Sequence, residues 1–164
     1  DAPTVTITED VNNDGTINEV EKDGDLNYEV AIPEGATAGD TLNLNINGET
    51  STVTITQDMV DAGKYESTTT MPDEGESINI TASITDSEGN TTDEASDSAT
   101  VDTIAGDKAD GTEIDAPTVT ITEDVNNDGT INEVEKDGDL NYEVAIPNGA
   151  VAGDTLNLNI NGET

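Results

Sequence analysis

Residues Glu76–Asn90 read ESINITASITDSEGN, and this stretch decides the fold. Ile78, Ile80, Ala82 and Ile84 alternate with polar residues, so an extended strand puts all four on one face. Ser87–Asn90 supplies a turn, and Ala95–Val101 returns as a second strand of small and β-branched residues. Working outward, the period of two recurs. Leu26, Tyr28, Val30 and Ile32 mark one half-buried strand, and Leu42, Leu44 and Ile46 mark another. Asn47–Gly48 is a type I′ hairpin signal that leads into a strand over Thr52–Thr56, with Val53 and Ile55 inward. Asp58–Gly63 reads as a turn with room for one helical turn, and Thr4–Thr8 and Lys64–Thr70 complete the set. Seven strands in about 100 residues predict an all-β fold, a β-sandwich with immunoglobulin-like topology. With no Trp and no Cys to mark that topology, it rests on strand count and spacing. A jelly roll or a fibronectin-type order fits the same pattern.

The chain repeats itself. Residues 115–164 match residues 1–50 without a gap, differing only where Asn148 replaces Glu34 and Val151 replaces Thr37. A period of 114 residues is the size of a domain, not of a solenoid turn. The organisation read from this is a sandwich over 1–102, an acidic linker over 103–114, and the N-terminal half of the next repeat over 115–164. That half carries three strands and is expected to expose apolar faces and an unpaired edge. Residues 51–164 also span one whole period in permuted order, so strand exchange through the half-repeat is open.

Each copy contains the acidic loop DVNNDGTINEVE, at Asp10–Glu21 and at Asp124–Glu135. Its spacing is that of a calcium loop: side-chain oxygens at positions 1, 3 and 5, glycine at 6, a carbonyl at 7, a ligand at 9 and a bidentate acid at 12. The candidate ligands are Asp10, Asn12, Asp14, Thr16, Asn18 and Glu21, with Asp124, Asn126, Asp128, Thr130, Asn132 and Glu135 in the second copy. Ile17 is placed to anchor the loop in the core. The flanks read as strands, so the loop belongs to a sheet connection instead of a helical EF-hand, with at most one helical turn over Asn18–Lys22. A solvated Asn/Asp/Gly turn is the plain alternative. Asp102, Asp107, Asp110, Glu113 and Asp115 bracket the linker, where a cation held chiefly by Asp102 and Asp115 would crosslink one unit to the next. Asp86, Glu88, Asn90 and Asp93 offer oxygens too, but a surface hairpin explains them as well.

Composition sets the function class. Thirty-eight acids face four lysines, for a formal charge of -34, and there is no His. Such a chain repels itself unless cations bind. The charge excludes nucleic-acid backbones and anionic membranes as partners, and no apolar run is long enough for direct membrane insertion. Without His there is no triad base, and three tyrosines are too few aromatics to stack sugars, so no enzyme is expected. Hard oxygen donors point to several Ca2+ ions as the cofactor and against zinc or copper. A calcium-stiffened spacer is the leading reading. A calcium-dependent carbohydrate- or protein-binding module is the alternative.

Each copy opens DAPTVTITEDVNNDGTIN, and the first closes ITDSEGNTTDEASDSATVDT over Ile84–Thr103. Together these resemble the bacterial immunoglobulin-like extender repeats of giant RTX adhesins, including biofilm-associated and ice-binding adhesins of Gram-negative bacteria. The resemblance covers the first unit and all of the second. It implies calcium-rigidified rods, with neighbouring repeats as tandem partners, that project adhesive domains from the cell. It also implies an extracellular or cell-surface location after type I secretion. The family's short VDTTAP-like junction is matched in two halves, by Asp102–Thr103 and Asp115–Pro117, with Ile104–Ile114 between them.

Overall fold

The computed structural model describes residues 1–106, 113–136 and 138–163, and it divides into two compact units, Asp1–Thr103 and Ile104–Thr164. Asp107 and Asp110 of the linker lie outside the described residues. Unit 1 is a β-sandwich. Its first sheet joins β1 (Thr4–Ile7), β3 (Leu26–Ala31) and β6 (Lys64–Thr69), in the order β1-β3-β6. Its second joins β2 (Thr16–Ile17), β4 (Thr41–Ile46), β5 (Glu49–Thr54), β7 (Ser77–Thr85) and β8 (Ala95–Val101), in the order β2-β8-β7-β4-β5. All the pairings are antiparallel except β2 with β8, which is parallel.

The period of two sets which side chains meet between the sheets. Val5, Ile7, Leu26, Tyr28 and Val30 from one sheet pack in a single core with Leu42, Leu44, Ile78, Ile80, Ile84 and Val101 from the other. Tyr28 and Tyr65 meet edge to face with centroids 6.4 Å apart, a favoured aromatic geometry. Burial raises the Tyr28 phenol above its ordinary value.

Local chemistry explains where the strands end. Asn47 and Gly48 both take positive φ, 48° and 92°, as a type I′ turn requires, so β5 begins immediately afterwards at Glu49. The strand stops at Thr54, not Thr56. The Ile55 N–H donates to the Asp40 carbonyl at 2.8 Å, and the Thr56 hydroxyl accepts from the Met59 N–H to cap the short helix α1 (Gln57–Ala62). Gly63 closes α1 in the left-handed conformation. Ile55 is still buried, as its place in the pattern required.

Unit 2 contains one described pair of strands, β9 (Thr118–Ile121) antiparallel to β10 (Tyr142–Ala145), in the register of β1 with β3. Its apolar side chains stay open to solvent: Ile121 is 43% exposed where Ile7 is 1%, and Leu156 is 41% exposed where Leu42 is 0%. Thr155–Ile160 forms no strand, although its sequence is that of β4. Among the described residues no helix is long and apolar enough to cross a membrane.

Candidate metal centre

The acidic loop carries the chain from β1 in one sheet to β2 in the other. Its first half is organised by side chains that accept backbone N–H groups. Asp10 accepts from Asp14 at 3.0 Å and from Gly15 at 2.8 Å, one bond to each carboxylate oxygen. The Asn12 side-chain oxygen accepts from the Asp14 N–H, and the Asn12 amide donates to the Asp14 carboxylate, both at 3.0 Å. Asp14 in turn accepts from the Thr16 N–H at 2.9 Å. Asn13 and Gly15 take positive φ, 56° and 84°, which lets the chain curl around these oxygens.

The second half is a reciprocal cap on a single helical turn. Asn18 accepts from the Val20 N–H at 2.9 Å and the Glu21 N–H at 3.3 Å. Glu21 accepts from the Asn18 N–H at 3.2 Å and its amide at 2.5 Å. The Lys22 N–H donates to the Asn18 carbonyl at 2.9 Å, closing the turn that the sequence suggested over Asn18–Lys22.

The structure therefore brings Asp10, Asn12, Asp14 and the backbone at Thr16 into one set and Asn18 with Glu21 into another. Among the described residues no three Asp, Glu, His or Cys side chains gather as a metal-holding group. The donors assembled are two acids, one amide and backbone. Each Asp10 oxygen carries one N–H and keeps a lone pair. That donor chemistry suits a hard cation and not a soft one.

Strand β2 fastens the loop to the end of unit 1. The Thr100 N–H donates to the Gly15 carbonyl at 2.9 Å, and the Asp102 N–H donates to the Ile17 carbonyl at 3.0 Å. Ile17 between them is fully buried. Asp102 thus stands beside the loop, in unit 1, while Asp115 falls in unit 2. In the second copy the side-chain bonds recur: Asp124 accepts from Asp128 and Gly129, Asn126 and Asp128 pair, Thr130 donates to Asp128, and Asn132 and Glu135 cap each other. There Ile131 is 37% exposed and no partner for a β2 strand is seen among the described residues. The loop's shape is therefore local, and its attachment to the sandwich is separate.

Three acids hold positions that sequence reasoning did not single out. Buried Glu9 grips Asn27 through both its N–H, at 2.6 Å, and its side-chain amide. Glu123 holds Asn141 in the same way, and the amide of Asn141 keeps its carboxyl below the usual range. Asp97 reaches from β8 across to the Ile7 N–H at 2.7 Å and so joins the two sheets. Asp86 is a turn former: it accepts from the Glu88 N–H, the Asn90 N–H and the Asn90 amide at 2.8–2.9 Å. The hairpin reading of that stretch accounts for the Asp86 oxygens.

No protein-family model matches the chain, and no curated protein does. Among solved structures the chain is similar to one described as giving structural insight into host cell surface retention of a 1.5-MDa bacterial ice-binding adhesin. The identity is 24% and the TM-score 0.42, over 74% of this chain. The match spans 36% of that structure's chain.

Proposed function

We propose that this chain is a spacer segment of a large bacterial surface adhesin, in which Ca2+ bound at the Asp10–Glu21 and Asp124–Glu135 loops stiffens each unit. One observation carries the reading: the loop is preshaped by its own side chains and is tied to the last strand of unit 1, next to Asp102, where the chain leaves the sandwich. A cation there acts on the exit of one repeat and hence on the joint to its neighbour. Asp10, Asn12, Asp14 and Thr16 would hold the ion. Asn18 and Glu21, now bonded to each other, would join them, and the Asn18–Glu21 bonds are what calcium must displace. The repeat pattern and the sequence likeness to extender repeats support tandem partners of the same kind and an extracellular or cell-surface location, reached by type I secretion.

Bound calcium supplies charge neutralisation, which a chain of this composition lacks. It stabilises by RT ln(1 + [Ca]/Kd), about 2.7 kcal/mol per site at a hundredfold excess. The test is calorimetry with small-angle scattering on the chain in millimolar calcium and in EDTA. A higher melting temperature and a smaller, stiffer particle in calcium are expected. Identical curves in both buffers would sink the reading. A glycan array with and without calcium separates a spacer, which binds none, from a lectin-like module.

A further inference from the structure

We propose that Asn47 is a modification site gated by the fold: its side-chain amide is lost to attack by Gly48 when the β4–β5 turn lifts off β7, and it is kept intact while the turn is seated. The chemistry needs only water. The Gly48 backbone nitrogen, its proton given up to solvent, attacks the Asn47 side-chain carbonyl carbon. A new C–N bond forms, the bond to the amide nitrogen breaks, and ammonia leaves with a proton taken from water. Water then opens the resulting cyclic imide at either carbonyl, which leaves aspartate or isoaspartate at position 47. The residue after Asn47 is glycine, so no side chain shields the attacking nitrogen. The turn is exposed, so water reaches both residues.

In the seated turn the attacking and the attacked groups are both engaged. β4 and β7 pair as far as Ile46 with Ile80, and beyond that point Asn47 continues the ladder by itself. Its N–H donates to the Asn79 carbonyl at 3.0 Å. Its side-chain oxygen accepts the Asn79 N–H at 2.7 Å, and its amide donates to the Ser77 carbonyl at 3.2 Å. Both ends of the reacting amide are thus turned onto β7. The Gly48 N–H donates to the Asn45 side-chain oxygen at 2.8 Å, which holds the proton that the nitrogen must lose. Attack requires these side-chain bonds to open together, a local opening of the hairpin end. The product does not fit back. Aspartate sets a carboxylate oxygen against the Ser77 carbonyl, where the amide had donated. Isoaspartate adds a backbone methylene to a tight turn that holds Ile46 opposite Glu49. Modification is therefore one-way, and it loosens the start of β7, which keeps β8 on its other side. This rests on the contact between the turn and β7 in unit 1, and it holds whether or not calcium binds.

The test incubates the chain in mildly alkaline buffer, folded and in denaturant, and follows the peptide that runs from Asn47 into Ser51–Thr54 by mass spectrometry. That continuation tells it from the copy around Asn161. Conversion of the amide to the acid is expected in denaturant, and at least about tenfold more slowly in the folded chain. N45A frees the Gly48 N–H and leaves Asn47 and Gly48 themselves unchanged. It is expected to convert faster than the parent when folded and at the parent's rate in denaturant. Equal rates in the folded and denatured chain would overturn the proposal, as would no conversion in denaturant or an N45A chain that converts no faster than the parent. Amide exchange gives a second readout. Chain converted in denaturant and returned to buffer is expected to exchange the Asn79 N–H faster than unconverted chain carried through the same steps. Equal protection of that N–H would overturn the one-way step.

Discussion

The Asp102 N–H donates to the Ile17 carbonyl at 3.0 Å, which makes the acidic loop and the exit of unit 1 one hydrogen-bonded piece. Thr100 and Gly15 add a second bond at 2.9 Å, and buried Ile17 sets the attachment against the core. The proposed spacer role requires the exit of unit 1 and the proposed cation site to be coupled, and the two residues of β2 would supply that coupling. Calcium is therefore expected to slow amide exchange at Asp102 and Thr100 by about tenfold or more, since opening there must release the loop. Hydrogen exchange followed by NMR, in calcium and in EDTA, measures it. Equal protection in both would disconnect the loop from the joint.

Asp10 lies at the centre of the loop's first half, with both oxygens engaged and its carboxylate buried. Changing it to Asn in both copies, D10N/D124N, keeps an acceptor for one N–H and removes the charge. A tenfold weaker calcium affinity is expected, which lowers the calcium-dependent stabilisation by about 1.4 kcal/mol per site. Titration calorimetry gives the affinity directly. Substituting both copies matters, because a single substitution leaves the other loop to respond.

Asp97 predicts a loss that owes nothing to cations. Its carboxylate is the partner of the Ile7 N–H, which sits in the buried part of β1. D97A leaves that N–H without an acceptor and is expected to cost about 1–3 kcal/mol. Chemical denaturation in EDTA measures it. A change below about 0.5 kcal/mol would mean that water or another oxygen replaces the carboxylate.

The strands of unit 1 were legible because alternation puts Ile78, Ile80 and Ile84 on one face of an extended chain, but the pattern needs a sheet to receive it: Thr155–Ile160 has the sequence of β4 and forms no strand. The turn at Asn47–Gly48 was legible by itself, being fixed by two residues that tolerate positive φ. β2 was not. Thr16–Ile17 is too short to alternate, and it becomes a strand only because Thr100 and Val101 lie alongside. The same two residue types in the second copy, Thr130 and Ile131, form none. Asp97 was hidden in a strand of small polar residues, where an inward carboxylate looks like any other acid until the N–H of Ile7 is placed opposite. The ligand spacing from Asp10 to Glu21 could be counted, but the pairing of Glu21 with Asn18 depends on the chain turning after Ile17. A linear motif does not state that turn.

The Asp86 turn gives a prediction in pH. The Asn90 side chain first, then the backbone N–H groups of Asn90 and Glu88, favour the charged carboxylate and hold its pKa below the ordinary value of 3.8. A carboxylate whose pKa is lower folded than unfolded contributes stability that is present in full above the unfolded value. That stability disappears as pH falls through the lower folded value. The β7–β8 hairpin is thus expected to stay intact down to about pH 4 and to loosen at its tip below that. In D86N the tip should show no such acid step. Carboxyl-carbon NMR titration of Asp86, with the Asn90 amide followed in parallel, tests both points. A midpoint at or above 3.8 would mean that the three donors do not hold the charge in solution.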